Sequence, residues 1–134
     1  MKLHLEIVTP EKKAYVGEVD SVIIPTANGE LGVLPGHVPL MTMVQPGHLQ
    51  VTNDGATEHL AVGEGFTEIT GKKVIILTDT ALTEDQINEV SVEEAIARAE
   101  KALQEKVSPE EEAALRAGIQ KSLVQLNLKR RHRH

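Results

Sequence analysis

Residues that could do nucleophilic, acid–base or metal chemistry are scattered through this sequence rather than grouped. The chain contains no cysteine and no Gly-x-Ser-x-Gly segment, so the common nucleophile motifs are missing. His132 and His134 form a His-x-His pair, which we interpret as part of a solvated basic end. Residues 29–32 lack the lysine and the following helix of a phosphate-binding loop. We therefore predict no catalytic residue, no cofactor and no metal site.

The segment most suggestive of recognition lies between residues 25 and 47, where glycine and proline are frequent. Asn28-Gly29 and Pro35-Gly36 are turn dipeptides that display Glu30 and His37 beside small residues. Polar residues displayed on the loops of a rigid scaffold are suited to binding a partner. The alternative interpretation is that these glycines and prolines only set the turns. The residue types alone leave both interpretations open.

Composition limits the class of protein. The chain has 134 residues, 40% of them apolar, which suits one compact unit with an appendage. Tyr15 and Phe66 are the only aromatic residues, so we expect an aliphatic core. A net charge of −6 argues against nucleic-acid binding, which needs clustered cations. No apolar run approaches the roughly 18 residues that span a bilayer, and residues 1–8 lack a signal-peptide pattern. We expect a cytoplasmic protein that is at most peripheral to a membrane.

Before Thr83 the apolar residues recur with the period of two that is typical of half-buried strands. The turn dipeptide Pro46-Gly47 predicts a type II turn. Asn53-Asp54-Gly55 and Gly71-Lys72 each separate two strand-like runs and predict hairpins. The predicted strands are residues 3–7, 19–24 (closed by Pro25), 38–44, 48–52, 57–62, 65–70 and 73–78. This pattern predicts an N-terminal antiparallel β-sandwich, or flattened barrel, over residues 1–84.

After Thr83 the apolar period becomes helical. Ser91 with Glu94, and Ser108 with Glu111, predict two capping boxes, and Pro109 suits a first helical position. The predicted apolar stripes are Val92, Ala95, Ile96, Ala99 and Leu103 in the first helix, and Leu115, Ile119, Leu123 and Leu126 in the second. A very short connection predicts a C-terminal antiparallel two-helix hairpin over residues 85–134. Because two helices have little core of their own, we expect the hairpin to depend on docking and to be able to move.

Charge is distributed unevenly within this helical half. From Ala113 onward the chain has basic residues and no acidic ones. These residues are Arg116, Lys121, Lys129, Arg130, Arg131 and Arg133. A cationic arm on an acidic protein matches an acidic protein partner better than a nucleic acid. The alternative interpretation is a solubilising, frayed end.

Four sequence segments carry a resemblance to a known family. Residues 29–40, Gly-Glu-Leu-Gly-Val-Leu-Pro-Gly-His-Val-Pro-Leu, and residues 46–49, Pro-Gly-His-Leu, resemble the signature of epsilon subunits of bacterial F-type ATP synthases. Residues 5–10 and 77–81 are similar to the family as well. The resemblance covers the whole chain, including the change from strands to a helical hairpin.

The resemblance implies a non-catalytic central-stalk subunit, a rotor part that couples proton translocation to ATP synthesis. The sandwich would bind the gamma subunit and the c-ring at the cytoplasmic face of the bacterial plasma membrane. Glu30 would face the polar loops of the c-ring, and His37 would lie near gamma and the ring. The hairpin would permit ATP hydrolysis when docked. When extended, it would insert among the alpha and beta subunits and block rotation.

The family also gives the cationic arm a role. Its beta subunits offer an acidic segment near the extended helix, which Lys121, Lys129, Arg130, Arg131 and Arg133 would complement. Exposed ion pairs contribute only about 0–1 kcal/mol each, so several would be needed. We expect that replacing Lys129, Arg130, Arg131 and Arg133 with Gln raises the ATPase activity of the assembled complex. Unchanged activity would count against this role.

One departure from the family concerns nucleotide binding. Some members bind ATP on the docked hairpin through an Ile/Leu-Asp-x-x-Arg-Ala motif at the start of the first helix. The stretch that matches this motif is residues 90–95, where Ser91 replaces the aspartate and Glu94 replaces the arginine. A carboxylate in place of that cation repels a triphosphate. We therefore predict weak or no ATP binding, which micromolar affinity in a titration would contradict.

Two other functions remain possible from the sequence. A free-standing ATP-sensing module would need the altered motif to bind nucleotide. A small β-sandwich enzyme would need ionisable residues, for example Glu30 and His37 with a third group, to converge in one pocket.

Overall fold

The computed structural model describes residues 1–131, which form ten strands, a short 3-10 turn and two helices. The strands are β1 (Leu3–Val8), β2 (Lys13–Val19), β3 (Ser21–Thr26), β4 (Gly29–Val33), β5 (Leu40–Val44), β6 (Gly47–Asn53), β7 (Ala56–Val62), β8 (Gly65–Ile69), β9 (Lys73–Thr78) and β10 (Ala81–Thr83). The 3-10 turn is Glu84–Gln86, and the helices are α1 (Glu89–Leu103) and α2 (Pro109–Arg130). The prediction of a β domain followed by a two-helix hairpin is confirmed.

The strands form one continuous sheet in the order β10-β7-β6-β3-β5-β8-β9-β1-β2, with β4 paired to β3 beside this path. All pairings are antiparallel except that of β1 with β9, which is parallel. A single residue pair, Thr26 with Val44, joins β3 to β5. The sheet therefore bends there and closes around one interior as a flattened barrel.

The interior of the barrel is aliphatic, as predicted. Alternate residues of most strands point inward; Leu3, Leu5 and Ile7 of β1, for example, are fully buried. The core comprises Leu3, Leu5, Ile7, Val19, Val22, Ile24, Val33, Val44, Leu49, Val51, Leu60, Val62, Ile69, Val74, Ile76 and Ala81. This core contains residues from all ten strands, so it holds the barrel together without the helices.

Several predicted strand limits are wrong. The strand predicted at residues 19–24 is split at Asp20, because Val19 ends β2 and Ser21 begins β3. Pro25 does not close β3; it lies opposite Glu30, and its carbonyl accepts a hydrogen bond from the Gln45 N–H. The strand predicted from residue 38 begins at Leu40. Strands β4 and β10 were not predicted, and of β2 only its last residue, Val19, was.

The two hairpin predictions are confirmed, and the Pro46-Gly47 turn is not. Asp54 and Gly55 both have positive φ, 51° and 83°, as a type I′ turn between β6 and β7 requires. A type II turn would need positive φ at Gly47, but Gly47 is extended and opens β6 opposite Val62. A Cβ at Gly47 would collide with the ring of Pro25. Close approach of two strands is therefore what requires this glycine.

Helix α1 begins earlier than predicted. Its N-cap is Asn88, whose side-chain oxygen accepts a hydrogen bond from the Ser91 N–H at 3.0 Å. Ser91 is therefore inside the first turn, and the predicted Ser91–Glu94 capping box is wrong. Helix α2 begins as predicted, because the Ser108 hydroxyl accepts from the Glu111 N–H at 3.1 Å and Pro109 is the first helical residue.

The helices pack antiparallel and dock on the barrel through a second, smaller core. This core consists of Ala61 from β7, Ile87 before α1, Val92 from α1, and Leu126 and Leu128 from α2. The predicted stripe of α2 is partly wrong, because Leu123 is 43% exposed while Leu128 is fully buried. Helix α2 contacts α1 on one side and β6 and β7 on another. Its buried positions therefore span a wider arc than a single stripe.

Candidate partner-binding surfaces

Glu30 and His37 lie on neighbouring segments at the margin of the barrel. Glu30 is an exposed residue of β4, directly after Gly29, whose φ is +103°. The Thr26 hydroxyl donates to the Gly29 carbonyl at 2.6 Å and closes the turn before it. The His37 Nδ1 lies 2.7 Å from the Val38 carbonyl oxygen. Over residues 1–131 Glu30 forms no ion pair, and no hydrogen bond joins Glu30 to His37.

The loop that carries His37 is hydrogen-bonded to the turn between β8 and β9. The Gly36 N–H donates to the Gly71 carbonyl at 2.8 Å, in the turn between β8 and β9. Gly36 has φ of +89°, a conformation that glycine adopts without strain. Leu34 and Val38 flank this turn and are 64% and 75% exposed. The loop thus holds apolar side chains in solvent next to His37.

A second surface, which sequence analysis missed, covers the outer face of β5, β8 and β9. Met41, Met43, Phe66 and Leu77 are between 52% and 69% exposed. Met43 lies opposite Phe66, and Phe66 lies opposite Leu77, so the side chains form one continuous strip. Together with Thr42 they line a shallow groove of about 460 Å³. We call these four residues the apolar face. An exposed apolar strip of this kind is typical of a protein–protein contact.

The docked hairpin makes polar contacts with the barrel as well as apolar ones. The His48 Nε2 lies 3.1 Å from the Val124 carbonyl oxygen of α2. The Lys121 Nζ lies 3.6 Å from an Asp79 carboxylate oxygen after β9. His48 belongs to the Pro-Gly-His-Leu segment at residues 46–49, so one residue of that segment contacts the backbone of α2.

The described part of the predicted cationic arm is engaged within the chain. The Lys129 Nζ donates to the Glu84 carbonyl at 2.9 Å, and the Arg131 Nε donates to the Glu84 carboxylate at 3.2 Å. Arg130 contacts Glu89 at 2.7 Å and Glu93 at 2.5 Å. The hydrogen bond to Glu89 is the main reason that the pKa of Arg130 is raised. Arg133 lies outside the described residues.

The start of α1 lacks the charges that a nucleotide triphosphate needs. With Asn88 as the N-cap, the stretch that opens the helix is Ile87-Asn88-Glu89-Val90, followed by Ser91. When the family motif is aligned with residues 87–92, Ser91 occupies the arginine position. When it is aligned with residues 90–95, Glu94 does, so neither alignment places a cation there. A groove of about 320 Å³ is present here, lined by neutral residues. Its lining is Leu82, Gln86, Ile87, Asn88, Ser91, Val92, Ala95, Ser122 and Gln125.

Among residues 1–131, no group of three or more His, Cys, Asp or Glu side chains could hold a metal ion. Neither helix in this part of the chain is both long and apolar enough to cross a membrane.

Comparison with known proteins places the chain in a family. The ATP synthase delta/epsilon chain beta-sandwich domain matches residues 2–84. The ATP synthase epsilon chain of Herpetosiphon aurantiacus is 37% identical, over 100% of this chain and 98% of its own. The ATP synthase epsilon chain of Desulforamulus reducens is 43% identical, over 78% of this chain and 79% of its own.

Solved structures show the same fold. A chain of the Euglena gracilis mitochondrial ATP synthase, in an OSCP/F1/c-ring structure, has a TM-score of 0.77 at 21% identity, covering 92% of this chain and 78% of that one. A chain of the Tetrahymena thermophila mitochondrial ATP synthase central stalk and c-ring has a TM-score of 0.61 at 14% identity, covering 94% and 93%. The family model and the sequence relatives show that the chain belongs to the ATP synthase epsilon chain family, whose members are non-catalytic subunits.

Proposed function

We propose that this chain is the central-stalk epsilon subunit of a bacterial F-type ATP synthase. It couples proton translocation to ATP synthesis as part of the rotor, and it restrains ATP hydrolysis through its hairpin. Family membership and relatives that match almost the full length of the chain support the assignment. The structural neighbours come from ATP synthase structures described as F1/c-ring and central stalk/c-ring. The protein lies at the cytoplasmic face of the plasma membrane.

The observation that carries the proposal is the presence of two separate hydrophobic cores. Sixteen buried residues hold the barrel together, whereas five hold the hairpin on it. Only one of the five, Ala61, belongs to a barrel strand, and the barrel adds the partly buried Leu82 of β10. Undocking the hairpin therefore exposes little of the barrel and leaves its core closed. A helical pair with so small an interface is suited to exchange one docking surface for another.

The apolar face is suited to bind the gamma subunit. It lies on the outer side of β5, β8 and β9, and the hairpin docks elsewhere, against β6 and β7. The apolar face therefore remains available whether the hairpin is docked or extended. Glu30 and His37 serve as contact residues toward the c-ring and gamma. Glu30 is exposed, and His37 is half-buried between the largely exposed Leu34 and Val38, which supports this role.

In the extended state the hairpin reaches the alpha and beta subunits. Lys121, Lys129, Arg130, Arg131 and Arg133 then face an acidic partner surface. Binding of ATP to the docked hairpin is weak or absent on this proposal, because the groove at the start of α1 is lined by neutral residues. The state of the hairpin is set instead by competition between docking surfaces.

The test of the stalk assignment is binding of full-length protein to a complex of alpha, beta and gamma subunits that lacks epsilon. Phe66→Ala removes the centre of the apolar face and should weaken binding about tenfold or more, the effect typical of a buried aromatic contact. Val90→Ala is the matched control, since Val90 is 64% exposed but lies on α1. Equal affinity of the two variants, with unchanged melting temperatures, would contradict the role of the apolar face.

A further inference from the structure

The basic end of α2 and the acidic start of the helical half lie side by side. The hairpin brings residues 129–131 back to the 3-10 turn Glu84–Gln86 and to the first turns of α1. Arg130 bridges Glu89 and Glu93, while Arg131 pairs with Glu84. The carboxylates of Glu84, Glu89 and Glu93 thus contact two successive arginines.

We propose that Glu84, Glu89 and Glu93 form an acidic latch that occupies the basic end of α2 in the docked hairpin and masks it from an acidic partner surface. The identity of that partner as a neighbouring subunit rests on the proposed function. The latch itself rests on contacts within this chain. It makes the three glutamates an internal competitor for the same cations.

The latch lies where it can oppose the separation of α2 from α1. One end of the helix pair is joined covalently by the connection at residues 104–108, between α1 and α2. The latch closes the opposite end, where Arg130 and Arg131 of the α2 end contact Glu89 and Glu84. The apolar contacts near it are few. Leu126 and Leu128 of α2 pack against Ala61, Ile87 and Val92, and the partly buried Leu82, Ile96 and Val124 surround them. Ion pairs at this end therefore make up a sizeable part of what keeps α2 in place.

The degree of burial distinguishes these pairs from ordinary surface pairs. The Glu89 side chain is 15% exposed and that of Glu84 is 23% exposed. Carboxylates so largely removed from water need a cation or hydrogen-bond donors. Lys129 adds a further contact by donating to the Glu84 carbonyl at 2.9 Å. Releasing α2 removes these charged partners, so the latch opposes opening.

The latch implies that the docked hairpin depends on salt. Partly exposed ion pairs weaken as ionic strength rises, whereas the apolar contacts of the second core do not weaken in this way. High salt should therefore release α2 from α1 while the barrel stays folded. The basic end is unmasked by the same event.

The test uses hydrogen exchange, followed by mass spectrometry, of α2 in the isolated full-length protein. Glu93→Gln should speed exchange in peptides covering residues 121–131 by about two- to fivefold, the range expected for one partly exposed pair. Glu94→Gln is the matched control: Glu94 is the adjacent exposed glutamate of the same helix, and it forms no ion pair within the described residues. It should leave exchange unchanged. The charge-swapped double variant Glu93→Arg with Arg130→Glu should slow exchange again relative to Arg130→Glu alone.

Equal exchange in Glu93→Gln and Glu94→Gln would overturn the latch, as would failure of the swapped pair to recover protection. A second experiment measures the same hydrogen exchange at low salt and at about 1 M NaCl, where the Debye length falls to about 3 Å. The wild-type protein should respond to salt more than Glu93→Gln does, and an equal response would contradict the proposal. Since no other subunit is present, these results are independent of whether the chain binds an ATP synthase.

Discussion

Asp20 shows how one carboxylate can hold distant parts of the chain together. It accepts a hydrogen bond from the Asp54 N–H at 2.8 Å, within a turn that requires positive φ. It also pairs with Lys2 at 3.1 Å. The backbone hydrogen bond from Asp54, followed by the contact with Lys2, lowers the pKa of Asp20. The ionised form therefore stabilises both the start of β1 and the β6–β7 hairpin.

This shift predicts a specific pH dependence. A carboxyl group whose pKa is lower in the folded state adds stability above its unfolded pKa, about 3.9 for Asp, and loses that stability as pH falls through the lowered value. Asp20→Asn should therefore lower the free energy of unfolding near neutral pH. Below about pH 4, that free energy should decrease less steeply with falling pH than it does in the wild type. Urea unfolding between pH 7 and pH 3 measures this effect.

The matched control for Asp20 is Glu11→Gln, which removes one carboxylate from the exposed β1–β2 turn. It should leave the pH profile of unfolding as it is in the wild type. Parallel profiles for Asp20→Asn and the wild type would show that Asp20 does not carry the acid dependence.

The candidate contact residues were only partly predictable at this scale. Glu30 and His37 were found because turn dipeptides flank them, and Glu30 is exposed as expected. The apolar face was missed because hydrophobicity alone predicts the wrong side of β8. Phe66 is 54% exposed, while the adjacent Thr67 is 1% exposed. The Thr67 hydroxyl donates to the Ile75 carbonyl at 3.1 Å, which satisfies its burial.

At the scale of elements, the sequence predicts helix starts and turns correctly where neighbouring residues determine the conformation. Ser108 and Pro109 start α2, and Asp54-Gly55 turns β6 into β7. Strands β2 and β4 were missed because their sequences, KAYVGEV and GELGV, show no clear alternation. Pairing with β1 and β3 imposes extended structure on them, which single-strand patterns do not contain.

Two glycines with opposite surroundings give a prediction about the elements. Gly118 lies within α2, and a Cβ there would meet nothing within 4 Å. Gly118→Ala should therefore stabilise the protein by up to about 1 kcal/mol through helix propensity. Gly65 lies in β8, where a Cβ would collide with the Leu77 backbone. Gly65→Ala should destabilise it by about 1–3 kcal/mol, as overpacking does.

Urea denaturation followed by far-UV circular dichroism distinguishes the two glycine variants. The midpoints should move in opposite directions from that of the wild type. A lower midpoint for Gly118→Ala would mean that α2 requires the flexibility or the small size of Gly118, contrary to the packing described above.

The latch also predicts a change in the assembled enzyme, if the hairpin acts as proposed. Glu93→Gln removes a contact made only in the docked state. The population of the extended, inhibitory state should therefore rise, and the rate of ATP hydrolysis should fall. The population ratio should change by up to about fivefold, as expected for one partly exposed pair. Glu94→Gln, in the adjacent exposed position, should leave hydrolysis unchanged.

Replacing the basic residues is a different experiment. Lys129, Arg130 and Arg131 have partners in the docked state, and the proposal gives them partners in the extended state too. Their replacement with Gln removes contacts from both states, so the change in activity depends on which state loses more binding energy. The expected rise in ATPase activity requires the loss in the extended state to be the larger one. A fall in activity would show that the latch is the stronger contact.

For the whole molecule, the essential property is that the barrel and the hairpin are stabilised separately. The barrel has a core drawn from its own strands, and the hairpin is held by a few apolar residues, His48, Lys121 and the latch. On the proposed function, the barrel therefore keeps its partners while the hairpin moves. Binding and inhibition should be separable in one chain, because they use different surfaces.

The most direct test of this account measures the ATPase activity of a complex of alpha, beta and gamma subunits with full-length protein and with a form truncated after Asp85. The truncation keeps all ten strands and removes both helices. The account predicts that both forms bind and that only the full-length protein slows hydrolysis. If neither form binds the complex, or if the truncated form slows hydrolysis as strongly as the full-length protein, the account is contradicted.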